Sequence, residues 1–320
     1  MNPWVLSAFF ALSAVYVGLV LFARATTRQV ERLVPPQGDF VDVDGVRLHY
    51  VERGSGPVTL LLVHGLAGNA RHFTAYLLDA LARDHHVIAI DRPGSGYSAP
   101  LRNESGPQAQ AALLAGFIDA KGLDRPVIVG HSLGGAIALA LALQHPARAR
   151  ALALLAPLTQ VPPTVPDVFA ALAIPNAVVR WVVGWTLAVP LSIARRDTVL
   201  RVVFGPDPVP GDFAIAGGGL LGVRPGTFIS AAADLMAVPR DLHEMTAQYP
   251  QLTVPVSVLY GTKDRVLSPK LHGEGLRAQL PAVHLEWVDG AGHMLPLTAP
   301  ERVAAFVRGV VTRAADPTPA

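Results

Sequence analysis

Ser132 lies at the centre of the sequence GHSLG, which fits the pattern G-x-S-x-G of an activated serine. A short apolar run, 127–129, precedes the motif, and a stretch of small and apolar residues, 133–144, follows it. This order predicts a strand, a sharp turn and a helix, and the flanking glycines lack the Cβ atoms that would collide in such a turn. The helix would point the positive end of its dipole at Ser132. We therefore expect Ser132 to be a nucleophile.

A serine hydroxyl is a weak nucleophile at neutral pH and requires a general base. His293 follows the last predicted strand in a glycine-rich loop that would let its ring reach back over the sheet. Asp264 follows the preceding strand, and its carboxylate would hold the tautomer of His293 and stabilise the imidazolium. The chain order serine, aspartate, histidine is one in which such triads occur. Asp289 is a competing acid, but it lies four residues before His293 and suits the turn there.

The oxyanion that forms when a serine attacks a carbonyl requires hydrogen-bond donors. The backbone N–H of Leu133, at the start of the predicted helix, is the first expected donor. The second is a backbone N–H in the loop that begins at His64-Gly65, and we assign it to Leu66. His64 could act as a second base, but a histidine at this position more typically braces its loop through hydrogen bonds.

Several classes of function are excluded by composition and spacing. The chain has no cysteine, which excludes a thiol nucleophile, a thiolate metal site and disulfides. Its histidines, His131 included, lack the spacing of metal ligands. The glycine-rich segment 91–98 contains neither G-x-G-x-x-G nor a Walker pattern. The formal charge is only +2, and no run of five or six basic residues occurs. We therefore expect no cofactor, no metal and no nucleic-acid partner.

Short apolar runs bounded by turn residues predict the strands of a largely parallel sheet that is covered on both faces. The predicted strands are 58–63, 86–90, 127–129, 151–155, 256–260 and 283–288, with a hairpin over 40–52 and helices over 108–120, 133–144 and 301–312. Strands that alternate with helices form a doubly wound α/β sheet, in which ligands bind outside the carboxyl ends of the strands. The candidate site residues all follow predicted strands at that edge.

The alternation of strands and helices breaks between Pro157 and about Tyr249. We expect a mostly helical insertion over the carboxyl end of the sheet, a cap or lid; the alternative is further helices of the core. The predicted division is a first core part at 39–156, a cap at 157–250, a second core part at 251–314 and a frayed tail at 315–320. The segment 169–204, which contains two tryptophans, would line an apolar acyl pocket or serve only to pack the cap.

Residues 1–24 predict a transmembrane anchor, followed by a linker at 25–38. Residues 4–23 carry no charge, and a helix of that length would span about 30 Å, the thickness of a bilayer core. Trp4 at one end and three arginines after the other suit the two interfaces. Because the basic flank follows the segment, the positive-inside rule places the downstream domain in the cytoplasm. The alternative is a signal peptide cleaved near Ala-Arg-Ala at 23–25, which would leave a secreted or periplasmic protein.

Taken together, the sequence resembles the α/β-hydrolase superfamily, in the branch with a helical cap after the sixth strand. The matching pieces are His64-Gly65, 91–98, 130–135, Asp264 and His293. The resemblance implies the α/β-hydrolase fold and cleavage of an ester, thioester or amide through a covalent acyl-enzyme, without a cofactor. The layout also resembles epoxide hydrolases and haloalkane dehalogenases, but those use an aspartate nucleophile where this chain has a serine.

We therefore predict a membrane-anchored serine hydrolase that cleaves carboxylic esters, esterase- or lipase-like, with Ser132, Asp264 and His293 as its catalytic triad. The anchor favours a lipophilic small-molecule acyl ester, because such molecules concentrate at membranes. The same site could serve a carbon–carbon bond hydrolase, a perhydrolase or an acyltransferase. A non-catalytic, membrane-tethered binding protein is the alternative of another class, and the intact triad speaks against it.

Overall fold

The computed structural model describes residues 3–102 and 105–315. Within this part of the chain the strands are β1 (Asp39–Val43), β2 (Val46–Arg53), β3 (Thr59–Val63), β4 (His86–Ile90), β5 (Val127–His131), β6 (Ala151–Leu155), β7 (Val256–Gly261) and β8 (His284–Val288). The α-helices are α1 (Pro3–Leu33), α2 (Arg71–Thr74), α3 (Leu78–Leu81), α4 (Pro107–Ala120), α5 (Leu133–Gln144), α6 (Ala177–Val183), α7 (Val189–Phe204), α8 (Pro225–Thr246), α9 (Gly275–Gln279), α10 (Leu295–Thr298) and α11 (Pro300–Ala315). Short 3₁₀ segments lie at Pro146–Arg148, Asp167–Leu172, Gly219–Val223 and Tyr249–Gln251, and π-helical segments at Gly184–Ala188 and Lys270–Glu274.

The strands form one eight-stranded sheet in the order β1-β2-β4-β3-β5-β6-β7-β8. β2 runs antiparallel to both of its neighbours, and all the other pairs are parallel. The chain leaves β3 towards β4 on one side and leaves β5 towards β6 on the other. Connections that diverge in this way open a crevice at the carboxyl ends of the two strands. The loops after β3 and β5, which carry the predicted oxyanion donors and nucleophile, border that crevice.

The strand prediction is confirmed, and the apolar runs of β3 to β7 are buried on both faces of the sheet. Leu60 and Leu62 of β3 lie in a hydrophobic cluster with α2, α3 and α11. Leu61 and Val63 of the same strand point the opposite way, into a cluster with α4, α5 and part of α8. β4, β6 and α5 begin and end at the predicted residues, and the other predicted elements shift by a few residues at their ends. The fold is the predicted α/β-hydrolase fold.

The chain between β6 and β7 contains helices and loops but no strand over residues 157–250. Within this predicted cap, the second half of α8 packs into the core against α4 and α5. Val238, Leu242 and Met245 are buried there. Their spacing of four and three residues places them on one face of the helix. The division into a core and a cap over 157–250 stays a prediction.

The first helix is longer than predicted, because α1 continues through most of the expected linker to Leu33. Residues 24–34 contain neither proline nor glycine, and Pro35 ends the helix by restricting the residue before it. Val30 and Val34 are buried against Leu221 of the cap, which also holds this end of the helix in place. Among the described residues, α1 and the continuous helix over 177–204 are long and apolar enough to cross a membrane.

Candidate active site

Ser132 occupies a strained turn between β5 and α5. Its φ of 54° and ψ of −119° lie in a region that a residue with a Cβ rarely adopts. The turn is held by hydrogen bonds on both sides: the Ser132 N–H donates to the carbonyl of Leu155, and its own carbonyl accepts from Gly135 and Leu158. An added Cβ at Gly134 would lie 2.1 Å from the carbonyl oxygen of Val63, so α5 can approach β3 only because that residue is a glycine.

The structure brings Asp264 and His293 together. Nδ1 of His293 donates to Oδ2 of Asp264 at 2.7 Å, and the other carboxylate oxygen accepts the backbone N–H groups of Val266 and Leu267 at 2.8 and 2.9 Å. The side chains of the pair are almost fully buried. Because a carboxylate only accepts, the proton of the neutral imidazole lies on Nδ1, which leaves Nε2 as the basic nitrogen. This is the tautomer that a general base of the predicted kind requires.

Ser132 lies beside this pair through its neighbour His131. The ring centroids of His131 and His293 are 4.9 Å apart, and Nε2 of His131 donates to the carbonyl of His293 at 3.0 Å. Within residues 3–102 and 105–315, no hydrogen bond joins the Ser132 hydroxyl to the His293 ring. Such catalytic hydrogen bonds are often long in structures without substrate and tighten when substrate binds. The sequence analysis assigned His131 no function, although its position inside the GHSLG motif marks it as close to the nucleophile.

The predicted oxyanion loop packs directly on Ser132. An added Cβ at Gly65 would lie 2.8 Å from the Ser132 Cβ, so the backbone of this loop reaches the nucleophile only without a side chain. The Gly65 carbonyl accepts from Nδ1 of His64 at 2.8 Å and from Arg92 at 2.9 Å. Because the C=O and the following N–H point in opposite directions across a trans peptide, these bonds aim the N–H of Leu66 away from Arg92. The N–H of Leu133, in the first turn of α5, has no acceptor within its own helix.

His64 has the bracing role that the sequence analysis preferred. Its Nδ1 donates to Gly65, and its Nε2 accepts the backbone N–H of Arg92 at 3.0 Å. Both ring nitrogens are therefore engaged in loop contacts. Burial, with the nearby guanidinium of Arg92, holds the pKa of His64 well below its usual range, so the ring stays neutral.

Arg92 is a buried cation that joins the oxyanion loop to the cap. Its guanidinium donates to the carbonyls of His64 and Gly65, to Gln110 of α4 at 2.7 Å and to Asp234 of α8 at 2.8 Å. Asp234 also accepts from Gln110 and Ser105, and burial raises its pKa while Arg92 opposes the rise. Neither Arg92 nor Asp234 was predicted as part of the site.

Two further hydrogen bonds connect the cap to the catalytic loops. Asp207 accepts the backbone N–H of Gly292, next to His293, at 2.7 Å. Asn69, in the loop after β3, donates to the carbonyl of Gly218 at 3.1 Å. The cap therefore contacts both the histidine loop and the oxyanion loop, and its position bears on the geometry of each.

His72, on α2 beside this site, is buried and uncharged. Its ring centroid lies 6.4 Å from that of His64, and its Nδ1 has no hydrogen-bond partner in the described part of the chain. Burial lowers the pKa of His72 to about 4, although Asp91 acts in the opposite direction. Burial likewise lowers the pKa of His131 well below its usual value, with the His293 ring adding to the effect. At neutral pH the rings of His72 and His131 therefore add no positive charge beside Asp264 and His293.

Comparison with known proteins agrees with this architecture. Residues 58–188 match the model of the alpha/beta hydrolase fold family. An uncharacterised protein of Mycobacterium tuberculosis is 30% identical over 293 residues, which cover 83% of this chain and 78% of that one. A second relative is the dihydrolipoyllysine-residue acetyltransferase component of the acetoin cleaving system of Cupriavidus necator. It is 38% identical over 118 residues, which cover 37% of this chain and only 31% of that protein. A crystal structure of a bacterial membrane phospholipase A has a TM-score of 0.64 and 23% identity, covering 99% of this chain and all of that one.

Replacing Asp234 by asparagine should lower the free energy of unfolding by about 3–5 kcal/mol, because the charge of Arg92 would remain buried without its counter-ion. Urea unfolding of the detergent-solubilised protein measures this loss. Asp119→Asn is the matched control, since it breaks the half-exposed pair of Asp119 with Arg148. That change should cost less than about 1 kcal/mol. Equal, small losses in the two variants would show that the Arg92 pair does not stabilise the fold.

His72 should make the protein sensitive to acid. Its pKa of about 4 in the folded state lies below the ordinary value of 6.5, so the unfolded chain takes up a proton first as the pH falls. The contribution of the neutral ring to the free energy of unfolding is therefore complete above about pH 6.5 and is lost as the pH falls towards 4. His72→Gln should therefore remove roughly 3 kcal/mol of the loss of stability between pH 7 and pH 4. Thermal melting across this range provides the measurement. His145→Gln, at a partly exposed position after α5, is the control that should leave the wild-type pH dependence. Identical curves for all three proteins would contradict the assignment.

Proposed function

Because the chain belongs to the α/β-hydrolase superfamily, we propose that it hydrolyses carboxylic esters through an acyl-enzyme on Ser132. The observation that carries this proposal is the buried hydrogen bond of 2.7 Å between Asp264 and His293, formed beside a serine held at positive φ. That combination supports a base of defined tautomer beside the turn that carries Ser132, which is the arrangement that nucleophilic catalysis by serine requires.

The proposed reaction follows from the positions of these groups. Ser132 Oγ attacks the ester carbonyl while Nε2 of His293 takes its proton, and Asp264 stabilises the imidazolium that results. The N–H groups of Leu133 and Leu66 donate to the oxyanion. His293 then returns the proton to the departing alkoxide, which leaves as an alcohol. Water attacks the acyl-enzyme by the same route and releases the carboxylic acid.

We further propose that the substrate is a lipophilic ester and that α1 anchors the protein in a membrane as a single span. An 18-residue window of α1 is wholly unburied and has a mean hydropathy of 2.4, so the helix requires an apolar environment of its own. The cap over the site is rich in apolar side chains, among them Trp181 and Trp185. The positive-inside rule favours a cytoplasmic catalytic domain.

Loss of any triad residue should abolish ester hydrolysis by the purified protein. On a p-nitrophenyl ester, kcat should fall roughly 10⁶-fold for Ser132→Ala and roughly 10⁴-fold for Asp264→Asn. A fluorophosphonate probe should label the wild type and fail to label Ser132→Ala. Asp289→Asn is the matched control, since Asp289 is exposed and accepts from Thr262 rather than from His293. Labelling of Ser132→Ala, or a comparable loss in Asp289→Asn, would refute the assignment of the triad.

Activity should increase with the length of the acyl chain. Each CH₂ group buried in an apolar pocket contributes about 0.8 kcal/mol, so kcat/KM should rise up to about fourfold per added carbon until the pocket is filled. A series of p-nitrophenyl esters from acetate to decanoate, below their solubility limits, measures this dependence. Highest activity on acetate with a steady decline thereafter would exclude a lipophilic acyl pocket.

A further inference from the structure

A row of exposed apolar side chains runs along the cap helices. Val178, Val182, Leu187 and Leu191 are between 38% and 70% exposed, and Trp181 beside them is 50% exposed. We call these five residues the cap stripe. Contiguous apolar surface of this kind is uncommon on proteins that contact only water, and it marks contact with a protein or a membrane.

The spacing of the cap stripe depends on the π-helical segment Gly184–Ala188. Residues four apart lie on one side of an α-helix, as Val178 and Val182 do, and as Leu187 and Leu191 do. Val182 and Leu187 are five apart, which would turn them away from each other in an uninterrupted α-helix. The π segment closes its turns from i to i+5, so the extra residue is absorbed and the stripe continues along one side.

The cap stripe lies next to α1. The π segment between α6 and α7 packs against α1, and the guanidinium of Arg24 lies 5.9 Å above the ring of Trp185. Trp185 is in turn 6.5 Å from Trp181, between ring centroids. The same end of α1 is fixed to the body by the buried Val30 and by an ion pair of 3.2 Å between Glu31 and Arg224.

The exposed part of α1 therefore leaves the body in a fixed direction beside the cap stripe. From Trp4 to Phe22 it carries no charge, and it is about 28 Å long, close to the thickness of a bilayer core. If this part is in a bilayer, Arg24 and Trp185 are level with the membrane surface, where arginine and tryptophan are the typical residues. The cap stripe then meets the same surface. Arg195 and Arg196, exposed just after Leu191, are placed to contact lipid phosphates.

We infer that the cap stripe inserts into the interface of the bilayer that α1 enters, so that the protein contacts the membrane through two apolar elements and its cap touches lipid. The occupant of the stripe is the lipid surface rather than a second copy of the chain, because the stripe is continuous with the apolar side of α1 and ends in basic residues. The inference concerns location and does not depend on which bond the site cleaves.

Fluorescence quenching by brominated lipid tests this location. The chain has four tryptophans, so three full-length variants can each keep one of them, Trp181, Trp4 or Trp287, with the other three changed to phenylalanine. Each is reconstituted in phosphatidylcholine vesicles with and without bromine on the acyl chains near the headgroup. We expect strong quenching of Trp181 and of Trp4. Trp287, on strand β8 at the edge of the sheet, should not be quenched.

A substitution within the stripe gives a second readout. Val178 is 70% exposed, so Val178→Asp should leave the fold intact while it opposes insertion. In the variant that keeps Trp181, this change should reduce quenching at least twofold, with unchanged far-UV circular dichroism. Absence of Trp181 quenching while Trp4 is quenched would overturn the inference, and cross-linking would then show whether a second copy covers the stripe. Absence of Trp4 quenching would overturn it too, because α1 would not be in the bilayer. Neither readout requires turnover, so failure of the proposed ester hydrolysis would be seen separately.

Discussion

The positive φ of Ser132 is the constraint around which the site is arranged. A residue in this conformation costs of order 1–3 kcal/mol and persists only where its surroundings fix it. Here the sheet and α5 do so, through the bonds of Ser132 with Leu155, Gly135 and Leu158. Gly65 and Gly134 let the neighbouring loop and helix approach more closely than any side chain would permit. The position of the hydroxyl is therefore set by the sheet and α5, whereas loops bring His293 and the predicted donor Leu66 towards it.

The loop that carries Leu66 depends on a buried charge rather than on the sheet. The Gly65 carbonyl is oriented by Arg92, and Arg92 is held by Asp234 on the first, cap-proximal half of α8. Because the ion pair is almost inaccessible to water, its geometry cannot relax without a large loss of stability. Arg92 donates both to Asp234 of α8 and to the Gly65 carbonyl, so a displacement of α8 would also shift the oxyanion loop. The cap helix is thus a structural part of the site as well as its cover.

The fold was predictable from the sequence, whereas the contacts that support the site were not. Strands such as β4 and β6 are short apolar runs buried on both faces, and such runs are typical of central strands in a parallel sheet. Asp264 and His293 could be selected because each follows a strand in the expected order. Arg92 and Asp234 are 142 residues apart, and a buried ion pair across that separation leaves no local pattern. The packing of the second half of α8 against α4 and α5 was not predictable either, because an amphipathic helix does not show which neighbour covers its apolar face.

The earlier and later parts of the cap differ in how many buried contacts and hydrogen bonds fix them to the core, and this difference affects how a substrate could enter the site. Asp207, Gly218 and Asp234 tie its later part to the catalytic loops. By contrast, none of the residues 161–183 is buried. Segments with few buried contacts are the ones that open at the lowest free energy. Movement of the cap should therefore begin at 161–183, where it would not disturb Arg92 or the histidine loop. This segment also carries three of the five cap-stripe residues, Val178, Trp181 and Val182, so the part of the cap with the fewest buried contacts includes part of the proposed lipid-facing surface. A lipid ester would then reach Ser132 from the membrane side while the tied part of the cap keeps the oxyanion loop in place.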